Sequence, residues 1–244
     1  MREQWVIADI HGCARSLMQL VEEKIKPGSQ DEIYLLGDYI DRGPDSRGVI
    51  DYIMYLQDVG YQVFPLMGNH EDVLLRCYAQ ECAPEGPVGM YDLKENWLYF
   101  GGRATLKSFG VKNLCEIPPH YLRFLSQLPY YYKLDNFVLA HAGLNFGLAD
   151  PFSDKLSMLW IKDYTVDRAK IQGRRLLHGH VPYTLGQIQC QLDHGNAISL
   201  DNGCVYQKSG MSNLIALEIN KMELQIQANV DFGVQKHLTL AAAA

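Results

Sequence analysis

Three times within its first seventy-odd residues, the chain runs through a short apolar stretch into a cluster of acidic, amide or imidazole side chains and then into a helical pattern. The apolar runs are Trp5 to Ala8, Glu32 to Leu36 and Tyr61 to Met67. Leu17, Leu20, Val21 and Ile25 share one helical face after the first run. Val49, Ile50, Ile53, Met54 and Leu56 do so after the second, and a third helix is expected from about Glu71. Strands alternating with helices imply a largely parallel sheet. Such open sheets gather their ligands at the carboxyl ends of the strands, which is where each polar cluster falls.

Residues 84 to 118 break this rhythm with Pro84, Gly86, Pro87, Gly89, Gly101, Gly102 and Gly110, and we expect a helical excursion over about 84–128. Tyr121, Leu122 and Leu125 mark a short helix after Pro118 and Pro119, followed by strands at Tyr130 to Lys133 and Phe137 to Ala140. From Arg174 onward strands are expected at Leu176-Leu177, Ala197 to Leu200, Leu214 to Ile219 and Glu223 to Ile226, forming an antiparallel second sheet. The fold class is therefore α/β, with two stacked sheets flanked by helices. One domain is expected over residues 1–240, followed by a tail at 241–244. A hydrophobic fraction of 48% is ample for its core.

Net charge is −6 with the signs mixed, so no basic stripe points to nucleic acid or to an anionic membrane as partner. No apolar run approaches the roughly 18 residues that span a bilayer, and MREQWVIADIHG does not read as a leader, so a cytoplasmic location is expected. Cys13, Cys77, Cys82, Cys115, Cys190 and Cys204 form no Cys-x-x-Cys pair and are expected to be reduced, mostly buried thiols.

Asp9 and His11, two apart on extended backbone, point to one side and can grip one ion. Asp38, Asp41 and Arg42 follow the second strand. A carboxylate there can bridge two cations, and a guanidinium can neutralise a phosphate bidentately. Asn69 is a good helix N-cap as well as a neutral oxygen ligand, and His70 beside it can face substrate as a proton donor. His141 and His180 each end a later apolar run. A lone histidine in such a place is most often an edge residue satisfied by hydrogen bonds, but five strand ends carrying such groups exceed that reading. His178 is read as supporting the ligands, not joining them. No Cys-x5-Arg loop and no Walker loop is present, so the reaction needs neither a cysteinyl-phosphate nor a triphosphate cradle.

Taken in order, D-x-H-G, G-D-Y-I-D-R-G, G-N-H-E, H-A-G and H-G-H closely resemble the phosphoprotein phosphatase family within the calcineurin-like metallophosphoesterases, over residues 9 to about 206. Leu128-Pro129 and Leu200 to Gly203 resemble accessory patterns of that family, and the length is similar to its bacterial and phage branch. The resemblance implies that Asp9, His11 and Asp38 hold one metal. Asp38, Asn69, His141 and His180 would hold the second, with Asp38 bridging. It implies further that His70 is a general acid paired with Asp41, and that Arg42 binds phosphate together with Asn69. Where the family commonly presents a second phosphate-binding arginine this chain has Lys162, which keeps the charge and loses the fork, so Arg168 or Arg174 is a candidate substitute.

The mixed nitrogen and oxygen ligands suit two ions of Mn, Fe or Zn better than Mg or Ca. Sharing a water roughly 3.5 to 4 Å apart, they would present hydroxide for in-line attack on phosphorus. The expected function is that of a metal-dependent phosphomonoester hydrolase. A serine/threonine or dual-specificity protein phosphatase is the first reading, acting on a phosphoprotein or small phosphoester, and a dinucleoside tetraphosphate hydrolase is the alternative. A non-catalytic metal-binding module is disfavoured by the complete ligand set. Tyr91, Trp97, Tyr99 and Phe100 could stack a base, though core packing is the expected use.

Overall fold

The structure, a computed structural model, describes residues 2–82 and 93–232. Pro84, Gly86, Pro87, Gly89, Tyr91 and the Ala241 to Ala244 tail lie outside the described residues. Five strands form the first sheet: β1 (Gln4–Ile7), β2 (Glu32–Leu35), β3 (Gln62–Pro65), β8 (Asn213–Glu218) and β9 (Glu223–Ala228), in the order β3-β2-β1-β8-β9. Four form the second: β4 (Tyr131–Lys133), β5 (Phe137–Ala140), β6 (Arg175–His178) and β7 (Ala197–Ser199), in the order β4-β5-β6-β7.

The strand period of two separates three cores. Trp5, Ile7, Ile33, Leu35 and Val63 face the helices outside the first sheet. Val6, Ala8, Tyr34 and Leu36, on the opposite face, meet Phe137, Leu139, Leu177 and Ile198 of the second sheet. Val138, Ala140 and Leu176 then face outward again, onto Leu144, Phe146 and Met158. Helix, sheet, sheet and helix thus stack in layers, as the apolar pattern predicted.

The second sheet differs from expectation in pairing. β5-β6 and β6-β7 are parallel and only β4-β5 is antiparallel, while β8 and β9 instead extend the first sheet, β8 running antiparallel to β1. The parallel pairs require crossovers, and these hold helices that the strand-rich reading overlooked: α7 (Lys155–Trp160) between β5 and β6, and α8 (Leu185–His194) between β6 and β7. A capping box starts α8, in which the Thr184 hydroxyl and the Gln187 side chain satisfy each other's backbone amides. That T-x-x-Q signature was available in the sequence.

Helices α1 (Ala14–Gln19), α2 (Ser46–Asp58) and α3 (Asn69–Cys82) follow the first three strands. The excursion contributes α4 (Leu93–Trp97), a turn at Leu98–Gly102, α5 (Arg103–Phe109) and, after a 3-10 turn at Leu114–Glu116, α6 (Pro119–Ser126). One cysteine expectation is overturned here: Cys82 and Cys115 form a disulfide, with Cα atoms 5.7 Å apart, because the excursion folds back onto the end of α3. Cys13, Cys77 and Cys204 are buried and in no disulfide, whereas Cys190 is exposed.

Candidate metal centre

Every ligand-bearing loop expected from the sequence leaves the carboxyl end of a strand, and all of them meet. Two clusters form, His11 with Asp38 and His70, and Asp38 with His141 and His180, the ligand atoms of each lying within 4.8 Å of one another. Asp38 belongs to both. Its Oδ2 is 3.4 Å from His11 Nε2 and 3.9 Å from His70 Nε2, while its Oδ1 is 3.5 Å from His141 Nε2. One carboxylate oxygen therefore faces each cluster. Asn69 joins the second cluster, its Oδ1 lying 2.8 Å from His141 Nε2 and 3.0 Å from His180 Nδ1.

Asp9 is a member of neither cluster, though it is near enough for Asp38 to raise its proton affinity. Its carboxylate accepts the His180 backbone N–H at 3.1 and 3.0 Å, and so ties the first ligand loop to the last. Gly179 is required at that junction, since a Cβ there would lie 2.0 Å from Asp9 Oδ1. His178 is buried against Tyr164 with its Nδ1 on the Gly179 carbonyl, a supporting position.

The chemistry of the donors fits cations. His11 Nδ1 lies 2.9 Å from the Ile40 carbonyl and His141 Nδ1 2.9 Å from the Leu36 carbonyl. Each ring must protonate Nδ1 to make that bond, which turns the bare Nε2 toward Asp38, the arrangement typical of metal-ligating imidazoles. His141 Nε2 and Asn69 Oδ1 are then two acceptors face to face, and His180 Nε2 is buried with no hydrogen-bond partner among the described residues. Two of the buried carboxyls are also driven toward the neutral form. Burial, with Asp201 and Asp38 as neighbours, pushes Asp9 well above the usual range, and burial with Asp38 nearby pushes Asp201 up to about 7. Burial would raise Asp38 too, but His141, His70, His11 and Arg42 outweigh it and hold that group well below. Burial lowers His141, and burial with His141 beside it lowers His180 to about 3, the direction that favours the uncharged, ligating form of an imidazole.

His70 has a different setting. Its Nδ1 is 2.7 Å from Asp41 Oδ2, and Asp41 is fixed in turn by Trp97 Nε1 at 2.9 Å and Thr105 Oγ1 at 2.6 Å. Burial opposes a charge on His70, yet Asp38 and Asp41 outweigh it and raise the imidazole above its ordinary value. Arg42 places one nitrogen 2.9 Å from His70 Nε2 and another on His11 Nε2, with its guanidinium 5.7 Å from the centre of the Tyr206 ring. His11, Asp38, Asp41, Arg42 and His180 all have positive φ, between 46° and 69°. Strained backbone of this kind, costing of order 1–3 kcal/mol per residue, concentrates where side-chain aim outweighs local comfort.

The cavity above the centre measures about 270 Å³ and is lined by Arg42, His70, Trp97, Phe100, Trp160, Lys162, His180 and Tyr206 among others. Lys162 reaches its rim beside His180, as expected. The suggested substitutes do not. Arg168 donates to the Gly173 carbonyl at 2.8 Å and Arg174 to the Leu134 carbonyl at 2.6 Å, beside a separate surface hollow, because their loop folds back on itself. The core-packing expectation holds for Trp97, which is buried, and fails for Tyr99 and Phe100, which are 85% and 57% exposed.

Sequence reading missed the role of Glu71. Its Oε1 accepts the N–H groups of Tyr39 and Ile40 and its Oε2 those of Asp38 and Gly68, so one buried carboxylate clasps the second and third ligand loops together. A glutamine would replace one of those oxygens by an NH2 group and strand two buried amides. Glu71→Gln is expected to cost about 1–3 kcal/mol, read in thermal unfolding as roughly 2–4 °C of Tm per kcal/mol for a chain of this size. An unchanged Tm would show that the clasp contributes nothing.

A symmetrical bis(5'-nucleosyl)-tetraphosphatase of Vibrio campbellii is 28% identical over 141 residues, 58% of this chain and 44% of that protein. The Proteus mirabilis enzyme of the same name is 34% identical over 76 residues, 31% of this chain and 27% of that protein. The chain thus aligns with less than half the length of these curated relatives. A protein serine/threonine phosphatase of Saccharomyces cerevisiae superposes with a TM-score of 0.60 at 15% identity, over 95% of this chain and 81% of that one, a likeness of fold alone. No helix among the described residues is long and apolar enough to cross a membrane. The family model for calcineurin-like phosphoesterases matches residues 4–216, a span that takes in every ligand loop described above, and the chain belongs to that family of hydrolases.

Proposed function

We propose that the chain hydrolyses a dinucleoside polyphosphate, with two divalent cations held by His11, Asp38, Asn69, His141 and His180, and with Asp9 completing the first site. When bound, the cations would supply Lewis-acid charge and an activated water at the phosphorus. Arg42 and Lys162, which both line the cavity, hold the phosphates, and Asn69 adds an amide contact. Arg42 turns from the two imidazoles toward the phosphate as substrate enters, and Tyr206 supports its guanidinium face. His70 gives its proton to the departing oxygen while Asp41, locked by Trp97 and Thr105, keeps the ring aimed.

Of the two substrate classes open from the sequence, the dinucleotide is favoured over the phosphoprotein by one observation: the curated bacterial relatives carry the name of a symmetrical nucleosyl tetraphosphatase. Rates measured side by side on diadenosine tetraphosphate, phosphoserine and phosphothreonine peptides and p-nitrophenyl phosphate, with Mn²⁺ added, test this reading. A kcat/KM for the dinucleotide well above that for every peptide, with ADP as the product, is expected. A peptide preference would return the chain to the phosphoprotein class, and no turnover of any ester by metal-loaded protein would leave only a binding module.

A further inference from the structure

Two large aromatic side chains stand exposed at the mouth of the catalytic cavity, in a chain whose other large aromatics are mostly packed away. Phe100 is 57% and Trp160 41% exposed, and both line the cavity. Neither is on a loose loop. The residue after Phe100 is Gly101, whose carbonyl accepts the Arg42 backbone N–H at 3.2 Å. Gly101 sits at φ 123°, and a Cβ there would lie 2.6 Å from that same Arg42 nitrogen. The glycine therefore lets the excursion approach the Arg42 backbone closely, and Phe100 is the residue before it.

Trp160 is the last residue of α7, and the Met158 carbonyl of that helix accepts the Ala142 N–H at 2.7 Å, which docks α7 on the loop carrying His141. Its indole lies 6.1 Å from the His180 ring, edge to face, and Lys162 follows two residues later on extended backbone. Each ring thus stands near, along the chain, a cation that lines the same cavity: Phe100 precedes the glycine held on Arg42, and Trp160 comes two residues before Lys162.

We propose that Phe100 and Trp160 are nucleobase platforms, one at each end of the substrate's phosphate chain, and that they set the enzyme's preference for nucleotides over simple phosphate esters. A base has an apolar, polarisable face and a phosphate attached a sugar's length away, and the cavity offers exposed rings and cations together. Exposed aromatic area costs solubility unless a ligand covers it, and stacking suits any base because every base has a π face. The use of both platforms by one molecule rests on the dinucleotide reading above. The existence of either does not.

The test uses the metal-loaded full chain turning over p-nitrophenyl phosphate, with ADP and inorganic pyrophosphate as competing inhibitors. Both carry a diphosphate, so the ratio of their inhibition constants reports the added nucleoside, and its change in the alanine variants reports the stacking of the base. ADP is expected to inhibit about 5- to 100-fold more tightly than pyrophosphate, the span of one stacked base. Phe100→Ala or Trp160→Ala should cut that ratio severalfold, and Phe100→Tyr or Trp160→Phe should restore it. Both positions are exposed, so the substitutions leave the core intact. A wild-type ratio near one, or a ratio that neither alanine changes, overturns the proposal. If the ratio behaves as expected while diadenosine tetraphosphate is a poor substrate, the dinucleotide reading falls and the platforms stand as a mononucleotide site.

Discussion

His70→Asn is expected to lower kcat by about 10²- to 10⁴-fold, the range lost with a general acid, while the bound metal stays near the level of the unsubstituted enzyme. The imidazole is 2.7 Å from Asp41, which is buried and bonded to Trp97 and Thr105, so three residues from the excursion and the second ligand loop serve to aim one ring. Asparagine can keep a hydrogen bond to Asp41 but has no transferable proton at neutral pH. The pH profile adds a second signature. His70 is raised because Asp38 and Asp41 outweigh its burial, so its acid form persists above the ordinary histidine range and is lost as pH rises through the raised value. The parent should then show an alkaline fall in kcat that the variant lacks. His70 is also a corner of the His11 and Asp38 cluster, which gives the experiment its edge. If the variant loses a full equivalent of metal by elemental analysis, His70 is a ligand and another group must protonate the leaving oxygen.

The strand-end ligands could be read from sequence because each depends on a local pattern, an apolar run that stops at a polar cluster. Asp38, Asn69, His70, His141 and His180 come together, and the two oxygens of Asp38 lie near different clusters. Apolar runs reveal strands without naming their neighbours, which is why β8 and β9 were placed in the wrong sheet. β8 pairs with β1 across some 200 residues and β9 with β8, and no local signal records that choice. Thr105 reaches Asp41 across 64 positions and Trp97 across 56, and a threonine or tryptophan in a helical segment has many ordinary uses. Tyr99 and Phe100 were expected inside because large aromatics usually are. Gly101, held against Arg42, turns that short stretch outward instead. The Cys82–Cys115 disulfide was equally hidden, since its spacing of 33 residues matches no framework and depends on how the excursion folds back.

Asp38→Asn should remove more than any other single change, because it acts on both clusters at once. Asparagine is nearly isosteric and tolerates the left-handed φ of 53° that this position requires, so the backbone amide on Glu71 and the turn into Asp41 are preserved. What changes is charge and ligand number. One oxygen faces His11 and His70 and the other faces His141, and an amide can offer a neutral oxygen to only one of those sides. Burial opposes the charge on Asp38 while His141, His70, His11 and Arg42 favour it, and the variant removes the negative group that these four share, leaving His70 its bond to Asp41 while Asp9 and Asp201 are driven toward the neutral form. Metal content is therefore expected to fall at both sites. kcat/KM should drop by roughly 10³-fold or more, the equivalent of several kcal/mol of lost charge stabilisation. Circular dichroism should remain that of the parent. Elemental analysis after gel filtration, paired with turnover of p-nitrophenyl phosphate over a Mn²⁺ titration, reads both effects. A variant that keeps two metals and activity within tenfold of the parent would mean that Asp38 does not bridge, and that the two clusters meet at some other group, with Asp9 the first to examine.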